Sequence, residues 1–221
     1  MATTADPTAI SSRRYRGKRV LLVMLAIVVL GAIPAVLVPL LWTHGKPPHL
    51  QDLGAVPAFS LVDERGQSFT EDALRGHPTI VSFIFTRCDT ICPVTSMKMK
   101  ALQEQTFDAG AKIKLLSFSV DPAYDTPPRL AAYAQRYSAD PERWRFVTGP
   151  YDQIHALVEG PFMTSMLREA DRPDGIPNIA HGGYFMLLDG NLHIRGMYSS
   201  SDKLRLDELV RDARYLARTA K

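Results

Sequence analysis

The sequence predicts an α/β protein, with a mixed β-sheet flanked by helices and one N-terminal transmembrane helix in front of it. From residue 57 onward, apolar strand patterns alternate with helical patterns, and a hairpin and a final helix close the chain. Alternating strands and helices favour parallel pairing, whereas a terminal hairpin adds antiparallel strands. The 165 residues from 57 to 221 fit a single domain.

The N-terminal segment predicts a membrane anchor. Residues 20–42 are 23 residues without a charged side chain. At about 1.5 Å per residue, such a helix can cross roughly 30 Å of hydrocarbon. Five basic residues precede it against only Asp6, which predicts a cytoplasmic N-terminus and a translocated domain. This favours a single-pass protein of the bacterial inner membrane, with its domain in the periplasm, over a mitochondrial one. A cleaved signal peptide is the alternative, but the apolar run is long for one and no A-x-A site follows it.

Charge is distributed unevenly and argues against nucleic-acid binding. The formal net charge is +3, yet residues 1–19 hold five basic residues and one acidic residue, which leaves 21 basic and 22 acidic residues in the remainder. The basic character therefore belongs to the membrane flank. Residues 43–56 are polar and contain prolines, which is typical of a linker. The predicted order is a cytoplasmic segment at 1–19, an anchor at 20–42, a linker at 43–56 and a domain at 57–221.

The first half of the domain predicts a hairpin, two buried strands and two helices. The hairpin joins 59–62 to 68–69 around a charged turn ending in Gly66. The central strand spans 79–86, and a helix follows over 93–108, with Pro93 in its first turn and Gly110 as its stop. After a second apolar strand at 113–120, Asp125 and Thr126 are expected to cap a helix that runs to about residue 138.

The second half predicts a short strand and helix, a loop, a hairpin and a closing helix. The hairpin turns at Asp189-Gly190-Asn191, and the closing helix carries one apolar face. The predicted ranges are a strand at 144–147, a helix at 151–159, a loop at 162–179, strands at 184–188 and 192–198, and a helix at 204–218.

The two cysteines of the chain carry the chemistry. Cys88 and Cys92 lie on the turn between the strand at 79–86 and the following helix, where a helix N-terminus favours a thiolate. Side chains four apart on a helical turn have Cβ atoms about 5–6 Å apart, which suits either a disulfide or a shared metal ion. A purely structural disulfide is the alternative. Because the loop between the two cysteines is so short, such a disulfide would reduce the entropy of the unfolded chain only a little and would stabilise the fold weakly. In an oxidising compartment a disulfide between them can persist.

Two thiolates are too few to enclose most metal ions, so a third ligand is expected from elsewhere. His181 directly precedes the strand at 184–188. In a thioredoxin-like sheet that strand adjoins the cysteine-bearing strand, so the loop carrying His181 faces the thiols. The remaining histidines lie in the linker, before the central strand, in mid-helix and in mid-strand: His44, His49, His77, His155 and His193.

Several segments in one order resemble the Sco/SenC family of membrane-anchored, thioredoxin-like copper proteins. They are Leu74-Arg75-Gly76-His77-Pro78, Thr86-Arg87-Cys88-Asp89-Thr90-Ile91-Cys92-Pro93, Ser119-Val120-Asp121-Pro122-Ala123-Tyr124-Asp125-Thr126-Pro127, Trp144-Arg145-Phe146-Val147-Thr148-Gly149 and His181 before the hairpin. The resemblance implies copper held by Cys88, Cys92 and His181. It also implies a metallochaperone that receives copper from a donor protein and delivers it to the dinuclear copper centre of cytochrome c oxidase subunit II. The alternative is a thiol-disulfide reductase acting on the cysteines of that centre.

The ligand set is chemically consistent with copper. Thiolates suit Cu(I) and an imidazole supports Cu(II), whereas zinc usually takes four ligands. Asp121 and Asp125 follow the neighbouring strand, where they either orient the site or form a turn and a cap. Met163 and Met166 precede His181, and thioethers bind Cu(I), although methionine more often packs.

Overall fold

The computed structural model describes residues 22–28, 48, 50–164, 167–168, 179–180 and 183–220. The chain divides into two compact units, Met1–Pro47 and Pro48–Lys221. In the first unit, α1 is described over residues 22–28, and its apolar side chains are exposed. Within the described residues, no helix combines the length and the apolar character that crossing a membrane requires. The predicted anchor at 20–42 lies outside the described residues except for α1.

The second unit is built from short strands and four longer helices among its described residues. The strands are β1 (Ser60–Asp63), β2 (Ser68–Thr70), β3 (Thr79–Ile84), β4 (Lys114–Ser119), β5 (Trp144–Thr148), β6 (Leu167–Arg168), β7 (Ile179–Ala180), β8 (Tyr184–Leu188) and β9 (Ile194–Ser199). The helices are α2 (Ile91–Gln105), α3 (Pro127–Arg136), α4 (Tyr151–Glu159) and α5 (Lys203–Thr219), and 3₁₀ turns span Glu71–Leu74 and Phe107–Lys112.

Seven of these strands form one mixed sheet, as the sequence predicts. Their order is β2-β1-β5-β4-β3-β8-β9, while β6 and β7 pair separately. The central strands β3, β4 and β5 run parallel, and the outer pairings are antiparallel. Each residue of β3 is buried, because this strand has neighbours on both edges and packed side chains on both faces.

The core lies on both faces of the sheet. On one face, the rings of Phe83 and Phe118 lie 6.0 Å apart and both contact Phe162, which follows α4. On the other face, Trp144 stacks on Phe146 at 4.9 Å, and Phe146 meets Tyr133 of α3. Successive residues of a strand point to opposite faces, so the alternation along β3, β4 and β5 separates these two aromatic groups.

The parallel register places two loops side by side. Ile84 at the end of β3 pairs with Ser119 at the end of β4. The loop from β3 into α2 carries Cys88, the first turn of α2 carries Cys92, and the loop from β4 into α3 carries Asp121 and Asp125. Residues distant in sequence therefore meet at one end of the sheet.

Several local predictions differ from the structure, among them the loop predicted at 162–179, in which Leu167–Arg168 forms β6 and pairs with β7. The cysteine-bearing helix begins at Ile91, earlier than predicted. It also ends earlier, at Gln105, because the chain then turns into a 3₁₀ segment in which Gly110 has a φ of 59°. Residues 51–56, assigned to the linker from the sequence, run along β9. Hydrogen bonds of 3.1, 2.9 and 2.9 Å join Gln51 to Arg195, Leu53 to Ile194 and Val56 to Leu192. This pairing covers part of an edge strand.

Candidate metal centre

The two thiols lie at the junction of β3 and α2. The amide of Cys88 donates to the carbonyl of Phe85 at 3.2 Å, and the amide of Cys92 donates to Cys88 Sγ at 3.5 Å. Both cysteines are buried thiols without a disulfide, with 8% of Cys88 and none of Cys92 exposed to solvent. Cys88 thus lies in the loop just before α2 and Cys92 in the first turn of that helix, with Cys88 as the outer and Cys92 as the inner residue.

The ionisation of Cys92 differs from the expectation that both thiols lose their protons readily. The hydrogen bond to Cys88 and the burial of the side chain raise the pKa of Cys92 well above its ordinary value. A helix N-terminus favours a thiolate, but here the neighbouring sulfur and the low local polarity outweigh that effect. In the metal-free, reduced domain, Cys92 therefore remains protonated, and a metal ion has to displace that proton.

Asp125 ties the cysteine loop to the end of β4. Its carboxylate accepts from the Thr86 amide at 3.0 Å, from the Thr86 hydroxyl at 2.5 Å and from the Ser119 hydroxyl at 2.6 Å. Although these donors favour the ionised carboxylate, burial has the largest effect and raises the pKa of Asp125 above its usual range. Thr86 lies two residues before Cys88, so Asp125 fixes the backbone that presents the outer thiol.

The predicted capping role of Asp125 is wrong. Thr126 occupies the N-cap position of α3 without a side-chain cap hydrogen bond, and Pro127 starts the helix. The Asp125 side chain is occupied by Thr86 and Ser119 instead. The expected turn at Asp121 is present, because the amides of Tyr124 and Asp125 donate to the Asp121 carbonyl at 3.0 and 2.9 Å.

Asp121 holds the next residue of the cysteine loop, Arg87. Its carboxylate accepts from Arg87 Nε at 2.6 Å, and only 5% of the Asp121 side chain is exposed. The guanidinium groups of Arg87 and Arg129 lie 4.5 and 3.8 Å from the centre of the Tyr124 ring. Asp121 thus positions the residue immediately before Cys88 and also forms the expected turn, whereas Asp125 holds the loop without capping α3.

Some residues of this site escape recognition in the sequence. Ser96, one helical turn after Cys92, hydrogen-bonds to the hydroxyl of Tyr133 at 2.9 Å inside the core. Burial raises the pKa of Tyr133, so this phenol stays neutral. Nothing in the local sequence around Ser119 or Tyr133 reveals that they bond to Asp125 and Ser96, respectively. Thr86 is the exception, because a polar residue between an apolar strand and the cysteines can be recognised in the sequence as a candidate site residue.

The third predicted ligand, His181, lies outside the described residues. Gly183 leads directly into β8, and β8 pairs with β3, which confirms the predicted neighbourhood of these two strands. In the described part of the chain, no three side chains from His, Cys, Asp and Glu form a group that can hold a metal ion. The described residues thus supply the two thiols, and His181 remains an expectation.

The other sulfur and imidazole side chains have separate environments. His155 pairs with Glu159 at 3.2 Å on α4, and His193 pairs with Asp52 at 3.0 Å. His193 precedes β9 and is not in mid-strand as predicted. Met163 is 57% exposed, and Met166 lies outside the described residues.

A protein-family model matches most of the second unit. The SCO1/SenC model matches residues 49–217 of the chain. This chain belongs to the SCO1/SenC family. It is 28% identical over 159 residues to the SCO1 protein homolog of Bacillus subtilis, covering 72% of this chain and 81% of that protein. It is 33% identical over 165 residues to a Stutzerimonas stutzeri protein named for copper binding, covering 71% of this chain and 74% of that protein.

Solved structures share the fold. A SCO1/SenC family lipoprotein from Bacillus anthracis superposes with a TM-score of 0.68 at 26% identity, covering 78% of this chain and 99% of that chain. BsSco, described as a member of the Sco family of cytochrome c oxidase assembly proteins with a disulfide switch, gives a TM-score of 0.67 at 25% identity, covering 80% and 100%. ScoI of Bradyrhizobium japonicum, solved with copper bound, gives 0.64 at 21% identity, covering 74% and 99%.

Proposed function

We propose that this SCO1/SenC protein binds one copper ion through Cys88, Cys92 and His181 and passes it to the dinuclear copper centre of cytochrome c oxidase subunit II during assembly. One observation carries this proposal: the two cysteines meet at the start of α2, where the amide of Cys92 in the first helical turn lies 3.5 Å from Sγ of Cys88 in the preceding loop. Thiolates are soft ligands that select Cu(I), and imidazole extends the site to Cu(II). Membership of the family, a relative named for copper binding and the description of BsSco support it.

The surroundings of the thiols fit a cargo site. Asp125 and Asp121 fix the two residues before Cys88 through their hydrogen bonds to Thr86 and Arg87, so the backbone that presents the Cys88 thiol is held before the metal arrives. Cys88 is the outer residue, and copper enters and leaves on its side. Both thiols lose their protons on binding, so metal uptake releases protons.

The location follows from the N-terminal sequence. The basic residues before 20–42 and the absence of charge within that stretch support a single-pass anchor in the bacterial inner membrane, with the metal-binding domain in the periplasm. There the domain meets a copper donor protein on one side of the transfer and oxidase subunit II on the other.

A thiol-disulfide reductase is the second candidate, and the unequal burial of the thiols favours it. The outer Cys88 thiolate would attack a partner disulfide and form a mixed disulfide, releasing one partner thiolate. Cys92, as its thiolate, would then attack Cys88 Sγ and release the second partner thiolate. The partner gains two electrons and two protons, and Cys88 and Cys92 end as a disulfide.

The deciding experiment compares cysteine and histidine variants of the Pro48–Lys221 unit, which is compact and contains the whole family match at residues 49–217. The reduced unit should bind one copper ion, and Cys88→Ala or Cys92→Ala should abolish tight binding. His181→Ala should weaken copper binding, more for Cu(II) than for Cu(I), yet keep a reversible disulfide. His193→Ala is the matched control and should change neither property, because His193 is paired with Asp52.

Two results would redirect the proposal. Full copper occupancy in either cysteine variant would contradict the metal site. Normal oxidase assembly at low copper in cells carrying His181→Ala, but not in cells carrying Cys88→Ala, would make thiol reduction the better account.

A further inference from the structure

Thr90 holds the N-cap position of α2 but does not cap the helix. An N-cap threonine usually has an extended backbone, and its side-chain oxygen accepts a hydrogen bond from the second or third amide of the helix. Thr90 instead has φ and ψ angles of −112° and −88°, and its side chain makes no cap hydrogen bond. The hydroxyl that a helix start ordinarily uses is therefore directed elsewhere.

The sulfur of Cys88 takes the place of the missing cap. Cys92 is the second residue of α2, and its amide donates to Cys88 Sγ at 3.5 Å. That amide is one of those that an N-cap side chain ordinarily binds. The first turn of α2 is thus capped by one of the proposed copper ligands, and the N-cap threonine is relieved of that task.

The Thr90 hydroxyl contacts the same sulfur. Its Oγ1 lies 3.5 Å from Cys88 Sγ, and in the thiol form either group can be the donor. A sulfur that binds a metal ion has lost its proton and can only accept. When Cys88 binds copper, the hydroxyl of Thr90 is therefore the donor of this pair.

The different exposure of the two side chains makes this contact accessible to substitution. Cys88 is 8% exposed, so little water reaches its sulfur to replace a lost donor. Thr90 is exposed, so a change of its side chain alters the contact with the sulfur without leaving a cavity in the core.

A hydrogen bond to a ligating sulfur affects which oxidation state of copper the site prefers. The donor draws electron density from the thiolate, and Cu(II) depends more than Cu(I) on the charge that its ligands donate. Hydrogen bonds around a cysteine ligand tune the reduction potential of copper sites for this reason. A donor on Cys88 Sγ therefore favours Cu(I).

We propose that Thr90 is a positioning residue of the copper site, whose hydroxyl donates to Cys88 Sγ and biases the bound ion toward Cu(I). The inference rests on the proposed function and deepens it, because it links one side chain to the oxidation state in which copper is carried. Asp121 and Asp125 act on the two residues before Cys88, whereas Thr90 acts on the sulfur itself.

The test measures the affinities of the reduced Pro48–Lys221 unit for Cu(I) and for Cu(II), each by competition with a chelator of that ion. Thr90→Val keeps the shape of the side chain and removes the donor. We expect the ratio of the Cu(I) affinity to the Cu(II) affinity to fall about fivefold, as for the loss of one hydrogen bond. The absorption band for charge transfer from sulfur to Cu(II) should move to longer wavelength, because a more electron-rich sulfur gives up an electron more easily.

Two further variants separate the hydroxyl from its surroundings. Thr90→Ser keeps the donor and should restore both the affinity ratio and the absorption band. Thr126→Val is the matched control, because Thr126 is the exposed N-cap residue of α3 and its side chain also makes no cap hydrogen bond. This control should keep the ratio and the band of the original protein.

Urea unfolding of the metal-free unit distinguishes this role from a structural one. Thr90→Val should unfold at the same urea concentration as the original protein, since it loses no cap hydrogen bond. Unfolding at a lower concentration with an unchanged affinity ratio would show that Thr90 only supports α2, and would overturn the inference.

The remaining outcomes separate the inference from the proposed function. An unchanged ratio and band in Thr90→Val, or a failure of Thr90→Ser to restore them, would overturn the inference and leave the proposed function standing. Absence of copper binding by the original protein would overturn both.

Discussion

The contacts of Asp125 allow a prediction that joins stability to copper binding. Asp125→Ala removes a fully buried carboxylate and leaves the Thr86 amide, the Thr86 hydroxyl and the Ser119 hydroxyl without their acceptor. Each unsatisfied buried donor costs about 1–3 kcal/mol, and part of this is recovered because the carboxylate no longer has to be desolvated. We therefore expect the free energy of unfolding to fall by about 3 kcal/mol.

The same substitution should weaken copper binding, because Thr86 no longer holds the backbone before Cys88. Loss of such a supporting contact typically lowers metal affinity about 10- to 100-fold. Urea unfolding of the metal-free domain measures the stability, and competition with a Cu(I) chelator measures the affinity. Asp72→Ala is the control, because Asp72 is exposed and pairs only with Arg75, and it should cost less than about 0.5 kcal/mol.

A double-mutant cycle tests whether Asp125 acts on the cysteine loop through Thr86. Thr86→Val removes one partner of Asp125, and the coupling energy between the two substitutions should exceed about 1 kcal/mol. If Asp125→Ala unfolds at the same urea concentration as the original protein, or if its cost simply adds to that of Thr86→Val, Asp125 does not anchor the cysteine loop.

The raised pKa of Asp125 also predicts a pH dependence. The folded domain holds this proton more tightly than the unfolded chain, whose aspartates titrate near pH 3.9, so stability falls as the pH rises from about 4 toward the higher folded pKa. Asp125→Asn has no such proton and should lose this contribution to the slope. Parallel stability-pH curves for the two proteins between pH 4 and 7 would show that the carboxyl group titrates alike in both states.

Three further predictions concern stability, redox chemistry and topology. Arg143 is buried and donates to the carbonyls of Gln103 and Thr106 at the end of α2. Arg143→Met should therefore lower the free energy of unfolding by about 3 kcal/mol in urea titrations. Arg136 is exposed, and Arg136→Met should change that free energy by less than about 0.5 kcal/mol. Mild oxidation without copper should give a Cys88–Cys92 disulfide, and bound copper should block alkylation of both thiols; mass spectrometry showing two alkylated thiols under either condition would count against a shared site. In spheroplasts the domain should be open to added protease and stay in the membrane pellet after a salt wash, and a soluble form beginning near residue 43 would instead show cleavage.

The sequence by itself predicted the elements and the position of the thiols. Alternating apolar and polar residues fix whether a segment forms a strand or a helix, because these patterns have different periods. The range 151–159 of α4 follows from apolar residues at helical spacing, and 184–188 of β8 from a short apolar run that ends at a turn. The turn between a buried strand and a helix also placed Cys88 and Cys92 together, since that relation involves only neighbouring residues.

The tertiary structure alone decided what surrounds the thiols. Asp125 contacts Thr86 across 39 residues and Asp121 contacts Arg87 across 34, and both contacts exist because β3 and β4 lie parallel in one register. A capping role for Asp125 is locally reasonable, yet the donors of half-buried Thr86 and buried Ser119 compete for the same carboxylate. The high pKa of Cys92 and the edge pairing of residues 51–56 have the same origin. Burial and long-range hydrogen bonds depend on which elements pack together, and no local pattern encodes that.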